Sequence, residues 1–348
     1  MAYQLTVEPL GEKIPIKDGQ SVLDACLRHG IYLPYQCNHG LCSTCKISVL
    51  DGEVDHDGAS PFALMDFERE EGRALACCAR ALSDLTIEAD IEVEPEALHL
   101  PVRDLTATVA TIENLTPDIR GVWLDIPGDG LPFQAGQYVN LRLPGCEEPR
   151  SFSIASAPSD PNRIELHVRR VPGGIGTQWL HENLKVGDSL ELSGPLGRFF
   201  VRSQSPDPII FLAGGSGLSS PKSMLLDLLE QGCEQPIVLF HGVRSKADLY
   251  YDDFFRRLAA DHPNFTYLPV LSQMAPDDVW EGETGFVHEA AERRFSGSFK
   301  GHKAYLCGPP PMIDACIRTL MKGRPFEKDI YTESFLTKAD GENMSKSP

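Results

Sequence analysis

The segment Gln36 to Cys45 reads QCNHGLCSTC. It places thiols at Cys37, Cys42 and Cys45, in the spacing C-x4-C-x2-C, with glycine, serine and asparagine between them. A stretch this polar and this short of apolar residues does not build a core; it wraps something. The first residues, MAYQLTVEPLGEKIP, lack the charged start and apolar run of a signal peptide. No apolar run approaches the roughly 20 residues of a membrane span. We therefore expect a cytoplasmic chain without a membrane segment. In a reducing compartment its ten cysteines serve metal binding or redox chemistry before disulfides.

A fourth thiol is available in LACCAR, at Cys77 or Cys78. Zinc favours two close-spaced pairs. One run of three with a distant fourth is instead the spacing of a [2Fe-2S] centre, where each of two irons takes two thiolates. One loop presents three sulfurs and a remote strand end supplies the last. Small residues such as Gly40 and Ser43 let backbone N–H groups approach the sulfurs and tune the potential.

The formal charge is −18. Residues 1–100 hold 7 basic and 18 acidic side chains, so most of the excess is N-terminal. Such a surface repels phosphate backbones, which excludes generic nucleic-acid binding, and it suits docking to a basic protein surface.

The chain divides into three parts. In the first, YQLTVEP and EKIPIKD form a hairpin. Ser21 caps a helix with Leu23, Cys26 and Leu27 as its buried stripe, and Gly30 ends it. SPFALMDFEREEG reads as a helix with Ser60 at the cap and Pro61 at its first position. The stretch IEVEPEALHLPVRD has linker composition, and we expect Glu94–Pro101 to let the first part swing. The second part, from TATVATIENL to SLELSG, carries short strands separated by Gly, Pro and Asp turns, the pattern of an antiparallel β-barrel. The third begins at IIFLAGGSG. Its buried strands alternate with helices, the first helix starting at Pro221, which implies parallel βαβ units in a doubly wound α/β sheet. The boundaries fall at 1–95, 101–204 and 205–340.

These motifs carry a family resemblance. C-x4-C-x2-C with LAC resembles a plant-type ferredoxin domain, of β-grasp fold, and the other two parts resemble a ferredoxin–NADP reductase-like module. In this order they are similar to the NAD(P)H-dependent reductase components of bacterial oxygenases. ASPFALMDFER, FQAGQYVNLRLPG, FLAGGSGLSSP and KAYLCGPPPMIDA bring the chain nearest to the reductases of multicomponent phenol hydroxylases. The resemblance covers almost the whole chain.

It implies a set of site residues. The iron ligands would be Cys37, Cys42, Cys45 and Cys77, leaving Cys78 as a small core residue. RSFS resembles the flavin motif: Arg150 for phosphate, Phe152 against the flavin, Ser153 near its N5. Gly174 and Thr177, at a glycine-rich turn into a helix N-terminus, would hold the FAD pyrophosphate. Gly214, Gly215 and Gly217 form the pyridine-nucleotide loop. Cys307 would lie beside the nicotinamide, with Gly308 allowing close approach. Glu333 would be the acid partner of Ser153 and Cys307, and Phe335 would cover the isoalloxazine. Arg244, Lys246 and Asp248 leave NADH against NADPH open by charge, and the resemblance favours NADH.

The expected path runs from NADH to FAD to the [2Fe-2S] cluster and on to a di-iron aromatic monooxygenase, the protein acting as a monomer. A hydride carries two electrons and the cluster takes one at a time, so the flavin belongs between them. Two rivals stand beside this: a reductase for another oxygenase (a toluene or alkene monooxygenase, or a Rieske dioxygenase), and a redox-sensing module without turnover. The chain shows no nucleophile–base pair and no di-iron ligand set of its own.

Overall fold

The structure, a computed structural model, describes residues 2–35, 38, 40–56, 58–91, 94–274, 279–324 and 327–335. The chain forms two compact units, Met1–Arg103 and Asp104–Pro348.

The first unit is built on strands β1 (Ala2–Glu8), β2 (Glu12–Lys17), β3 (Lys46–Asp51), β4 (Val54–Asp55), β5 (Arg73–Leu75), β6 (Arg80–Ala81) and β7 (Leu85–Glu88). Its main sheet has the order β2-β1-β7-β3-β5, with β1 and β7 parallel and the other pairs antiparallel. Alternation in β1 and β2 turns Leu5, Val7, Ile14 and Ile16 into the core. Helix α1 (Val22–Arg28) lays Leu23, Cys26 and Leu27 on it. Ser21 caps α1 by accepting from the Asp24 amide at 3.2 Å, as the sequence implies.

Two expectations fail in this unit. Helix α2 covers only Asp66–Glu70, with Met65 rather than Ser60 at its cap. Ser60–Leu64 instead forms a turn drawn towards the cysteine loop: the Ser60 amide donates to the Gly40 carbonyl at 3.1 Å, and Ser43 Oγ donates to the Ala63 carbonyl at 2.8 Å. The stretch read as a swinging linker is pinned at its far end. Tyr32 OH donates to the Leu100 carbonyl at 2.7 Å, the Val102 amide to the Leu27 carbonyl at 3.1 Å, and Val102 is buried. These bonds tie the linker to its own unit, so any hinge lies beyond Val102.

The second unit holds two sheets. The first comprises β8 (Arg103–Asn114), β9 (Ile119–Asp125), β10 (Tyr138–Arg142), β11 (Arg150–Ser153), β12 (Arg163–Arg169) and β13 (Ser189–Leu196) in the order β11-β10-β13-β8-β9-β12. A bridge from Ile154 to Leu166 brings its two edges together, which makes it a near-closed barrel around Val109, Val122, Leu124, Leu141 and Leu166. Helix α3 (Ile175–Glu182) covers one end.

The other sheet is parallel, in the order β17-β16-β15-β14-β18-β19, from β14 (Ile209–Gly214), β15 (Ile237–Val243), β16 (Phe265–Leu271), β17 (Glu283–Thr284), β18 (Lys303–Gly308) and β19 (Ile330–Ser334). Helices α4 (Ser219–Glu230), α5 (Asp252–Asp261), α6 (Val287–Arg294) and α7 (Pro310–Lys322) connect or flank these strands. β14 is buried along its whole length, as a strand with helices on both faces must be. Helix α4 starts two residues before Pro221, because the short 3-10 turn Gly215–Leu218 runs straight into it; in that first turn the missing proline N–H costs nothing. The order of the strands reverses between β14 and β18, and ligands of such sheets bind at that switch point, outside the C-terminal strand ends.

Candidate electron-transfer centres

The cysteine loop depends on backbone that few residues adopt. Asn38, Gly40 and Ser43 all have positive φ. At Gly40 a Cβ would lie 2.5 Å from the Gly58 carbonyl oxygen and 2.6 Å from Cys78 Sγ, so only glycine fits. Cys45 is buried, and its sulfur lies 3.2 Å from that of Cys77. Cys78 Sγ is 3.6 Å from Cys77 Sγ and turns towards Gly40 and Gly58. The amides of Gly40 and Cys77 point at the sulfurs of Cys77 and Cys45 respectively. The contact with Cys77 and burial push the Cys45 thiol far up, so two bare thiols this close do not ionise together. Cys37 lies outside the described residues, and among the described residues no three candidate ligands gather closely enough to hold a single metal ion. All-thiol donors shared between a loop and a strand end, with amides aimed at the sulfurs, fit an iron–sulfur cluster.

The C-terminal ends of β14, β18 and β19 form the second centre. Glu333 on β19 sits in register with Cys307 on β18. One carboxylate oxygen, Glu333 Oε2, accepts from Ser153 Oγ at 3.1 Å, Ser220 Oγ at 2.5 Å and Cys307 Sγ at 3.4 Å. Burial raises the Glu333 carboxyl above its usual range, against the pull of those three donors. Cys307 is fully buried beside this carboxylate, and both facts push its thiol up, so it stays a protonated donor. Sequence reading brings Ser153, Cys307 and Glu333 together but misses Ser220; nothing in GLSSPKS distinguishes that serine from its neighbours.

The glycines of the nucleotide loop are explained by close packing. A Cβ at Gly217 would lie 2.3 Å from the Cys307 carbonyl oxygen, and one at Gly214 2.4 Å from Met312 Sδ. Gly215 has φ +56, and Gly308 φ +152. The Phe335 amide donates to the Gly308 carbonyl at 2.9 Å, which draws the C-terminal aromatic to the same strand end. On the barrel, Gly174 is the N-cap of α3 and makes no side-chain cap bond to its first amides. Thr177 Oγ1 accepts from the Val171 amide at 3.1 Å and fixes that turn. Arg150 stands beside it, its Cγ 3.3 Å from where a Gly176 Cβ would be, with its guanidinium on the carbonyls of Glu148 and Pro149. Phe152 packs against the barrel core. The carboxylate of Asp248 accepts from the Ser245 amide and hydroxyl at 3.0 and 2.9 Å, and Arg244 lies 3.3 Å from it.

A sulfur-lined loop, a near-closed β-barrel and a parallel sheet with polar residues at its switch point are the parts of an iron–sulfur flavoprotein reductase. Three family matches agree: a 2Fe-2S iron-sulfur cluster binding domain over residues 5–82, an oxidoreductase FAD-binding domain over 106–201 and an oxidoreductase NAD-binding domain over 211–318. The chain is 56% identical to the phenol 2-monooxygenase reductase component DmpP of Pseudomonas sp. (strain CF600), covering 99% of this chain and 98% of that one. It is 52% identical to the phenol hydroxylase P5 protein of Acinetobacter pittii (strain PHEA-2), covering 98% and 96%. Among solved structures, the Amycolatopsis cytochrome P-450 reductase GcoB matches with a TM-score of 0.88 and 37% identity, over 96% of this chain and 98% of that one. The chain belongs to the family of reductase components that serve multicomponent monooxygenases. It is an oxidoreductase that carries electrons from NADH through FAD and a [2Fe-2S] cluster to an oxygenase.

Proposed function

We propose that this chain is the reductase of a multicomponent phenol monooxygenase whose oxygenase is a di-iron protein. Near-full-length identity above one half with two phenol hydroxylase reductases carries this reading. The chain acts in the cytoplasm as a monomer, in functional segments 1–95, 101–204 and 205–340. Its acidic first hundred residues supply the docking charge.

Cys37, Cys42, Cys45 and Cys77 would hold the cluster, and the sulfurs of Cys45 and Cys77 already lie 3.2 Å apart. Arg150, Gly174 and Thr177 hold the FAD phosphates; Phe152 and Phe335 pack on the flavin. Gly214, Gly215, Gly217 and Gly308 admit the dinucleotide. A flavin held there would supply the exchange between hydride and single-electron transfer, chemistry that no side chain supplies. Ser153, Cys307 and Glu333 would give the nicotinamide and flavin a hydrogen-bonded protein wall. Three donors on one oxygen hold Glu333 in place, and burial raises its carboxyl above the usual range.

The test mixes the holoprotein with a phenol hydroxylase oxygenase and follows NADH consumption and catechol formation, with a dye acceptor in parallel. Catechol in proportion to NADH supports the reading. Dye reduction without catechol sinks the phenol assignment and points to another oxygenase. Reduction of neither acceptor points to the sensing module.

A further inference from the structure

A second group of charged residues lies buried in the seam between the barrel and the parallel sheet. On β12, Glu165 is completely buried and His167 nearly so. From α4, Lys222 donates to Glu165 Oε2 at 2.6 Å and to the Ala155 carbonyl at 3.1 Å. Glu165 Oε1 accepts from His167 Nε2 at 3.0 Å and from Tyr251 OH at 2.5 Å. The hydroxyl of Tyr250 lies 3.2 Å from His167 Nδ1 and donates to the Gly215 carbonyl at 3.0 Å. Ser223 Oγ, one residue after Lys222, donates to the Ser156 carbonyl at 2.7 Å. A continuous chain of contacts thus runs from the first turns of α4, through the barrel wall, to the backbone of the nucleotide loop.

Two features set this apart from ordinary packing. A buried ion pair gains little or no stability over well-packed apolar residues of the same shape, because both charges lose their water. What it does supply is a fixed register, since apolar surfaces slide and a hydrogen-bonded charge pair does not. Secondly, Tyr251 has φ +58, a conformation that bulky residues avoid. That turn sends two consecutive tyrosines into the seam, one to Glu165 and one to Gly215. Strained backbone of this kind persists where the surroundings over-determine it.

We propose that Glu165, Lys222, His167 and Tyr250 are positioning residues for hydride transfer: they lock the nucleotide loop at one offset from the flavin barrel. Gly215 precedes Ser216 and Gly217, whose backbone abuts the Cys307 carbonyl, so holding Gly215 fixes the wall against which the nicotinamide lies. This rests on the reading of that loop as the NADH site. The hydride's donor and acceptor atoms react only within a narrow distance, so a small shift of the loop lowers the rate with little change in affinity.

The experiment uses the full-length holoprotein, mixed anaerobically with NADH and with 4-deuterated NADH, and follows flavin bleaching. It yields the Kd for NADH, the limiting reduction rate and the isotope effect. Flavin reduction in the unaltered protein tests the underlying reading by itself. Tyr250→Phe keeps the ring and removes the tie to Gly215. It is expected to lower the limiting rate about five- to tenfold and raise the isotope effect, with Kd within about twofold and with FAD and iron content unchanged. Because Lys222→Met alone strands a buried carboxylate and can fail to fold, the second variant is the neutral pair Glu165→Gln with Lys222→Met. It is expected to fold and to show the same loss of rate. A drop in Tm with rate and isotope effect unchanged in both variants makes the network merely structural and overturns the proposal. So does weaker NADH binding at an unchanged limiting rate.

Discussion

Ser220 Oγ lies 2.5 Å from Glu333 Oε2, joining the first turn of α4 to the last strand of the sheet across 113 residues of sequence. With Ser153 and Cys307 on the same oxygen, this bond makes one carboxylate the meeting point of the barrel, the nucleotide loop helix and two strand ends.

Removing that donor has a defined consequence. Ser220→Ala leaves Glu333 with two donors in place of three, so the carboxyl rises further and the proton is held more tightly. Stability should fall by about 1 kcal/mol, the worth of one such bond. Denaturant unfolding of the FAD-loaded protein measures the loss, and an unchanged midpoint refutes it.

The pH dependence of stability follows from the sign of the Glu333 shift. A carboxyl raised by burial keeps its proton in the folded state after the unfolded chain has released it. The folded protein is therefore favoured at low pH and loses that stability as pH climbs from the ordinary value of 4.5 through the raised one. Glu333→Gln removes this titration. Its Tm should stay flatter than the parent's across that window, and parallel curves would show that Glu333 does not titrate there.

At the cluster loop, Gly40→Ala drives a methyl into the Gly58 carbonyl and Cys78 Sγ in a backbone of φ +72. The expected outcome is loss of iron and acid-labile sulfide with FAD retained. NADH-driven reduction of a two-electron dye persists, while electron delivery to the oxygenase stops. Full cluster content in the variant would contradict the packing argument.

Cys77 and Cys78 can be separated by substitution. Cys77→Ser removes the sulfur that lies 3.2 Å from Cys45, and the cluster should not assemble. Cys78→Ser alters a buried side chain that points at two glycines, and the cluster absorbance should remain. The reverse pattern assigns the fourth ligand to Cys78.

Much of the fold is legible because local patterns agree with it. Alternation in YQLTVEP is the buried and exposed alternation of β1, and the apolar run IIFLAG is the fully buried β14. The helix read at Ser60 is not, because its capping signal is local while its competitor, the Gly40 carbonyl, comes from another part of the chain. The linker misleads for the same reason: its proline and glutamate content describes an exposed strand of chain, but Tyr32 and Leu27, far back in sequence, hold its end. At the site, the glycines and cysteines announce themselves by type and spacing. Ser220 does not, since a serine beside a helix start has no distinguishing pattern.

The sequence by itself determines which chemistry is possible: thiols spaced for a cluster, glycine turns ahead of helices for phosphates, and the order of the three sequence parts. Those are short-range features, set by residue type and by spacing within one loop. Only the tertiary structure decides which polar groups meet. Nothing in the segments around Lys222 and Glu165 pairs them, yet the fold brings these two side chains, 57 residues apart, into one buried contact. Burying such charges is tolerable only when partners from distant segments arrive to satisfy them, and that condition is met by the assembled seam rather than by any segment of it.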